Sequence, residues 1–173
     1  MLSRSAARTP GIAQFDRAHI VPALALWEDT PGIGMSFGDD RESLDRFIRR
    51  NEGLCFVAID RAIAAGSTAY RTAAPPDATP PEHSLVGTIL AGEDGRRGYL
   101  YHLAVAKDRR TLGIGRALVD AALAGLAGRG IKRCHAIVFA SNTGGLAFWE
   151  RVGFRLREDL SIVSVDVAQT SSN

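Results

Sequence analysis

The stretch Arg110-Thr111-Leu112-Gly113-Ile114-Gly115-Arg116 gathers the residue types most able to do chemistry in this sequence. It lies between a run with strand character, Leu103-Ala104-Val105, and a long run with helical periodicity. Glycine lets a backbone come close to a ligand, and the first turn of a helix leaves N–H groups without partners. Together with the helix dipole these make an anion site, to which Arg109, Arg110 and Arg116 add full charges. The ligand implied carries phosphate. Two phosphate motifs fail to match. A Walker A loop needs Lys and then Ser or Thr after its last glycine, whereas Gly115 is followed by Arg116 and Ala117. The dinucleotide fingerprint needs glycine or alanine three residues beyond Gly115, and Leu118 stands there.

A framework must position that stretch, and hydrophobic periodicity outlines one. A short strand is expected near residues 12–15. Ile20, Val21, Leu24 and Trp27 make residues 16–28 an amphipathic helix with Asp16 as its cap, although Pro22 falls inside it. Residues 29–40, with Pro31, Gly32, Gly34 and Gly38, read as a loop. A second helix follows at 41–51, with Leu44, Phe47 and Ile48 on one face, then a strand at 54–60. Residues 73–84 hold four of the seven prolines and read as a long hairpin loop. Strands at 85–91 and 99–106 flank the turn signal Glu93-Asp94-Gly95, and a helix spans 112–128. Residues 134–140 are apolar on both faces, as an interior strand would be. A helix at 143–152 and strands at 154–157 and 161–167 complete a mixed α/β sheet with helices on both faces.

The 173 residues, 46% hydrophobic and 23% charged, fit one globular domain at 11–167 between disordered ends at 1–10 and 168–173. A net charge of +2 beside that apolar fraction excludes disorder as the dominant state. Apolar stretches such as 54–59 and 136–140 fall short of the ~20 residues that span a bilayer. Arg4 and Arg8 precede no apolar core, so the start is not a secretory signal and a cytoplasmic protein is expected. Cys55 and Cys134 lie in strand-like runs and read as core thiols, not as a disulfide or metal pair. Arg96, Arg97, Lys107, Arg109, Arg110 and Arg116 place six cations within 21 positions, but no aromatic platform accompanies them, so no nucleic-acid partner is expected.

The glycine stretch resembles the GNAT superfamily of N-acyltransferases, whose signature Arg/Gln-x-x-Gly-x-Gly/Ala is matched by Arg110, Gly113 and Gly115. Asn142 and Phe148-Trp149-Glu150-Arg151-Val152-Gly153-Phe154 are similar to the family's second acyl-CoA element. The resemblance runs from Ile12 to Val167 and is most specific from Tyr99 to Phe154. It implies an α/β (α+β) fold: a mixed, mostly antiparallel central sheet of six to seven strands, about four helices and a splayed central strand pair. It implies acetyl-CoA as acyl donor, no metal, and acetyl transfer to a primary amine of a small molecule or protein. The alternative is a non-catalytic acyl-CoA-binding sensor or regulatory module. No membrane partner is implied, and the chain would be a monomer or homodimer.

By the same resemblance, N–H groups from Leu112 through Gly113, Ile114 and Gly115 to Arg116 hold the pyrophosphate, with Arg110 and Thr111 beside them. The pantetheine arm pairs with the edge at Leu103, Ala104 and Val105, and Asn142, Phe148 and Trp149 complete the cofactor set. The backbone N–H near Leu103 or Ala104 is the oxyanion donor. Family members often carry a carboxylate on the strand before the signature, where this chain has Tyr99, Tyr101 and His102. His102 has the best intrinsic pKa for a general base, with Tyr101 as the other candidate. Strand alternation sends these two to opposite faces, so one at most meets the thioester. Trp149 stands where many relatives have a tyrosine acid, and with Leu146 and Val152 it also fits a core stripe. Ser141 is read as an oxyanion helper or as the cap of the next helix. Trp27, Asp29 and Met35 are expected to line the acceptor channel, with Asp29 pairing a cationic amine.

Overall fold

The computed structural model describes residues 10–60 and 85–167. The expected proline-rich loop at 73–84, the start up to residue 9 and the end from 168 lie outside the described residues; Pro10 is buried. Among the described residues one sheet has five strands in the order β1-β2-β3-β4-β5, fewer than the six to seven expected. They are β1 (Gly11–Gln14), β2 (Phe56–Ile59), β3 (Leu85–Glu93), β4 (Gly98–Val105) and β5 (Cys134–Ala136). The first four pair antiparallel, and β5 joins β4 in parallel.

Helices α1 (Ile20–Glu28) and α2 (Arg41–Arg50) lie between β1 and β2 in the chain; α3 (Ile114–Gly128) connects β4 to β5. Asp16 caps a single 3₁₀ turn, Arg17–His19, that leads into α1. Pro22 causes no break because it falls in the first turn of α1, where an N–H would have no helical partner. Asp40 starts α2 by accepting the Glu42 and Ser43 N–H groups at 2.9 Å.

Alternation along the strands puts the helices on opposite faces of the sheet. On β4, Gly98 faces Leu126 of α3 while Tyr101 meets the Phe47 ring of α2. A Cβ at Gly98 would lie 2.7 Å from Leu126, so the glycine is what allows α3 to approach β4 this closely. Ile114, Leu118 and Leu126 are 2% exposed or less, each contributing about 1.5–3 kcal/mol by burial. The other face buries Ile20, Ala23, Trp27, Leu44 and Ile48 against Cys55, Val57 and Leu90.

Two strand expectations are corrected. The strand expected at 134–140 is three residues long and lies at an edge of the sheet, with Ile137 and Phe139 more than half exposed. The ladder stops at Leu100 opposite Ala136, just before an irregularity in β4 described below. The strands expected at 154–157 and 161–167 do not form. From residue 140 the chain is a separate compact unit containing α4 (Thr143–Arg151), and Ile162, Val163, Val165 and Val167 are each at least 68% exposed. Alternating apolar residues choose which face a strand would bury, but pairing needs a neighbour, and the described residues of this unit form no strand to pair with. No helix of the described residues is long and apolar enough to cross a membrane.

Candidate active site

β4 contains an extra residue. Thr88 stands opposite Ala104 and Leu90 opposite Tyr101, so two steps along β3 match three along β4. The surplus is a β-bulge at His102, whose φ of +47° is left-handed, a conformation that costs a non-glycine residue about 1–3 kcal/mol. The bulge overturns the expected opposition of Tyr101 and His102. Tyr101 meets Phe47 of α2 with ring centres 6.0 Å apart, and His102 lies on Trp27 of α1 at 4.1 Å. Both side chains point to the face covered by α1 and α2, because one inserted residue resets the alternation.

His102 is largely buried, and its Nε2 lies 3.2 Å from Asp39 Oδ1. At that distance the carboxylate attracts the ring only when the ring is protonated, and neither ring nitrogen has an aligned hydrogen-bond partner among the described residues. Burial lowers the pKa of His102 below its usual value, and the Asp39 carboxylate opposes this by favouring the charged ring. Asp39 is itself held in a tight turn, accepting the Ser36 N–H at Oδ2 (2.7 Å). Sequence reasoning missed Asp39. Its signal was its place immediately before the α2 cap Asp40, which fixes the direction of the chain there.

The other acceptor-channel expectations fare differently. Trp27 is 1% exposed and donates its indole N–H to Thr88 Oγ1 at 2.8 Å, so it belongs to the interior and backs His102 instead of lining a channel. Asp29 is the exposed C-cap of α1. Met35 is exposed on the loop between α1 and α2. That loop reaches the segment after β5, since a Cβ at Gly34 would lie 2.5 Å from the Phe139 ring. Burial raises the pKa of Tyr101, which keeps the phenol protonated and makes it a poor base.

β5 accompanies β4 only from Gly98 to Leu100, so among the described residues β4 from Tyr101 onward has β3 on one side and an open edge on the other. Leu103 and Val105 are half-buried on that edge; Ala104 is buried opposite Thr88. The edge runs into the turn before α3. Thr111 and Gly113 are left-handed, at φ +66° and +81°, and Gly113 begins α3 with no side chain capping it. A Cβ at Gly113 would meet nothing within 4 Å among the described residues, so the turn is open at that glycine. Arg110, Thr111 and Leu112 are exposed there, Ile114 is buried, Gly115 half-buried, and Arg116 is exposed beside Asp120 at 3.9 Å.

The basic cluster divides. Arg96 and Arg97 sit in the β3–β4 turn, where Asp94 accepts both of their amide protons. The length of β4, eight residues at roughly 3.3 Å each, separates them from the glycine turn. Arg109 pairs with Asp60 at 3.1 Å, and Arg110 Nε donates to the Val105 carbonyl at 3.0 Å. Arg110 therefore ties the end of β4 to the turn as well as carrying charge.

In the second unit, Asn142 caps α4 by accepting the Gly145 N–H at 2.8 Å, the task expected of Ser141. Trp149 packs edge-on against Phe154 at 4.7 Å and against Phe148 at 5.5 Å. Cys55 is buried and Cys134 half-buried, and burial pushes both thiols up to about 11.

Residues 24–154 match the Acetyltransferase (GNAT) family. Acetyltransferase SG1711 of Sodalis glossinidius (strain morsitans) is 29% identical over 79 residues, 46% of this chain and 56% of that protein, so the chain spans about half the length of this curated relative. An acetyltransferase from Streptococcus agalactiae has a similar structure, with TM-score 0.64, 15% identity and 93% of each chain covered. A chain of the NatC complex bound to Gag peptide and CoA matches with TM-score 0.63 and 18% identity, over 86% of this chain and 87% of that one. At these identities the two structures establish likeness of fold.

Proposed function

The chain belongs to the GNAT acetyltransferase family, and from that premise we propose that it transfers an acetyl group from acetyl-CoA to a primary amine of a small molecule or protein. The observation that supports this most is the continuity of the open β4 edge with the left-handed glycine turn. An extended ligand with spaced amides pairs with a strand edge as a peptide does, here along Leu103, Ala104 and Val105. Its phosphates meet the first-turn N–H groups from Leu112 to Arg116 at the start of the 15-residue α3. The residues fit the group, because among the described residues nothing lies within 4 Å of where a Cβ on Gly113 would stand. Bound acetyl-CoA supplies an activated acyl thioester.

The chain's own task is to take a proton from the attacking amine. An amine of pKa ~10.4 is protonated at pH 7, a penalty of about 4.6 kcal/mol. In this reading His102, whose neutral form burial favours, turns Nε2–H toward Asp39 and accepts that proton at Nδ1, and Asp39 stabilises the resulting imidazolium. Its loose alignment is common before a substrate completes the site. Trp149 cannot act as an acid, but a thiol of pKa ~8.5 leaves without one.

Calorimetry of CoA against Gly113→Asp tests the binding half of the reading. A carboxylate at the turn is expected to weaken CoA by more than about tenfold, as repulsion at an anion site requires; unchanged affinity in a folded variant overturns the phosphate assignment. Thiol release from acetyl-CoA across amino acids, polyamines, aminoglycosides and peptides tests the transfer half. Release that depends on an amine identifies the acceptor class, whereas tight CoA binding with no release leaves a binding module.

A further inference from the structure

Thr88 is a polar residue in the middle of an apolar strand, 0% exposed, and no step described so far uses it. Its hydroxyl uses its donor and one acceptor site. It accepts the Trp27 indole N–H at 2.8 Å and donates to the His102 carbonyl at 2.9 Å. That carbonyl belongs to the surplus residue of the bulge, the place where β4 departs from regular pairing with β3. Trp27 thus holds His102 twice, through its ring against the imidazole and through Thr88 to the backbone. Both clamp residues are out of water, so a relaxed bulge would strand buried polar groups with nothing to replace their partners.

We propose that Thr88 is a positioning residue for acyl transfer, acting with Trp27 as a clamp that holds the left-handed bulge and so aims His102 and the Leu103 N–H that follows it. The role rests on the acyl-transfer reading above; the clamp itself does not. Asp39 is the charged group facing the imidazole, from the α1–α2 loop, while α1 offers the indole and β3 the hydroxyl, neither charged.

Two variants separate aim from stability. Thr88→Val keeps the shape and removes both hydrogen bonds, whereas Thr88→Ser keeps the hydroxyl. Thr88→Val is expected to lower kcat for amine-dependent thiol release by about tenfold or more with CoA affinity within about twofold, since small misplacements of reacting groups cost rate and not cofactor binding. Thr88→Ser is expected to recover most of that kcat even where its Tm is lower. Amide hydrogen exchange gives a second readout: the His102 and Leu103 amides and the Trp27 indole N–H exchange faster in Thr88→Val and at the wild-type rate in Thr88→Ser. Unchanged exchange in Thr88→Val overturns the clamp, whatever the chain acts on. Faster exchange with unchanged kcat, or kcat that merely tracks Tm in both variants, overturns the positioning role. A wild-type protein that turns over with no amine defeats the acyl-transfer reading and the positioning role together, and exchange still decides the clamp. If Thr88→Val does not fold, Trp27→Phe, which removes the indole N–H and leaves a ring over His102, is read by kcat, CoA affinity and exchange of the His102 and Leu103 amides: unchanged exchange there overturns the clamp, and faster exchange with unchanged kcat overturns the positioning role.

Discussion

The two ends of the open β4 edge are built in opposite ways. At one end the glycine turn is contiguous: Arg110 to Arg116 supply it, and its tie to the strand, Arg110 to Val105, spans five residues. At the other end the bulge is held by partners far apart in the chain, with Trp27 and Thr88 separated by 61 positions and Thr88 and His102 by 14. A contiguous site depends on local backbone conformation and survives small shifts elsewhere. A dispersed one depends on strand register, which a single inserted residue changes. The two ends therefore separate by task in our reading, the turn holding the cofactor and the bulge moving the proton.

The largest expected effect tests that separation directly. His102→Gln is expected to lower kcat/KM by roughly 10²-fold, within the range for a lost general base, and to leave CoA affinity unchanged. Gly113→Asp is expected to do the reverse in the first instance, weakening CoA. A His102→Gln enzyme that loses CoA binding as much as Gly113→Asp does would dissolve the comparison. One with wild-type rate and pH profile would remove the base from the bulge altogether.

The same contrast explains what could be read in advance. The glycine turn, α3 and the order of elements from β1 to α4 follow from patterns within a few residues of one another, and they stand where the periodicity put them; the strands expected after α4 do not. Tyr101 and His102 were assigned opposite faces because the alternation rule holds only for an unbroken ladder, and no local signal in Tyr99 to Val105 marks the surplus residue. Trp27 looked like channel lining because an aromatic on an amphipathic helix does not announce a partner 61 residues away. Asp39 was hidden in a loop where most acids are solvated. The C-terminal run alternates as a strand does, yet a strand needs a partner that its own sequence does not supply.

A smaller effect probes how the bulge is tuned. In the proposed reaction neutral His102 is the active form, so rate rises as pH climbs through its pKa. Burial sets that pKa below the usual value and Asp39 pulls it part of the way back. Asp39→Asn removes the pull, so the pKa falls further and the acidic limb of kcat/KM moves to lower pH. The plateau is expected to drop by about tenfold, because a weaker base loses driving force and the imidazolium loses its partner. A pH–rate profile that keeps its limb while Tm falls would reduce Asp39 to a structural residue of the loop; a limb moved to higher pH would contradict the charge pairing.

The smallest effect concerns which of its two tasks Arg110 performs for the turn. Its guanidinium is exposed, and exposed charge is screened over about 8 Å at physiological salt, so its pull on a phosphate is modest. Its Nε–H···O bond to Val105 is a short-range contact that salt weakens little, and it fixes the angle at which the β4 edge enters the turn. The signature that this stretch resembles accepts Gln in place of Arg, which suits a donor requirement better than a charge requirement. Arg110→Ala is accordingly expected to weaken CoA by roughly three- to fivefold, with Arg110→Gln within about twofold of the wild type, and the alanine loss is expected to persist at ~1 M salt, where the Debye length is ~3 Å. Calorimetric titrations of the three proteins at low and high salt decide it. Glutamine as poor as alanine, together with a loss that vanishes at high salt, would make Arg110 a phosphate-facing charge and would leave the end of β4 without a tie to the turn.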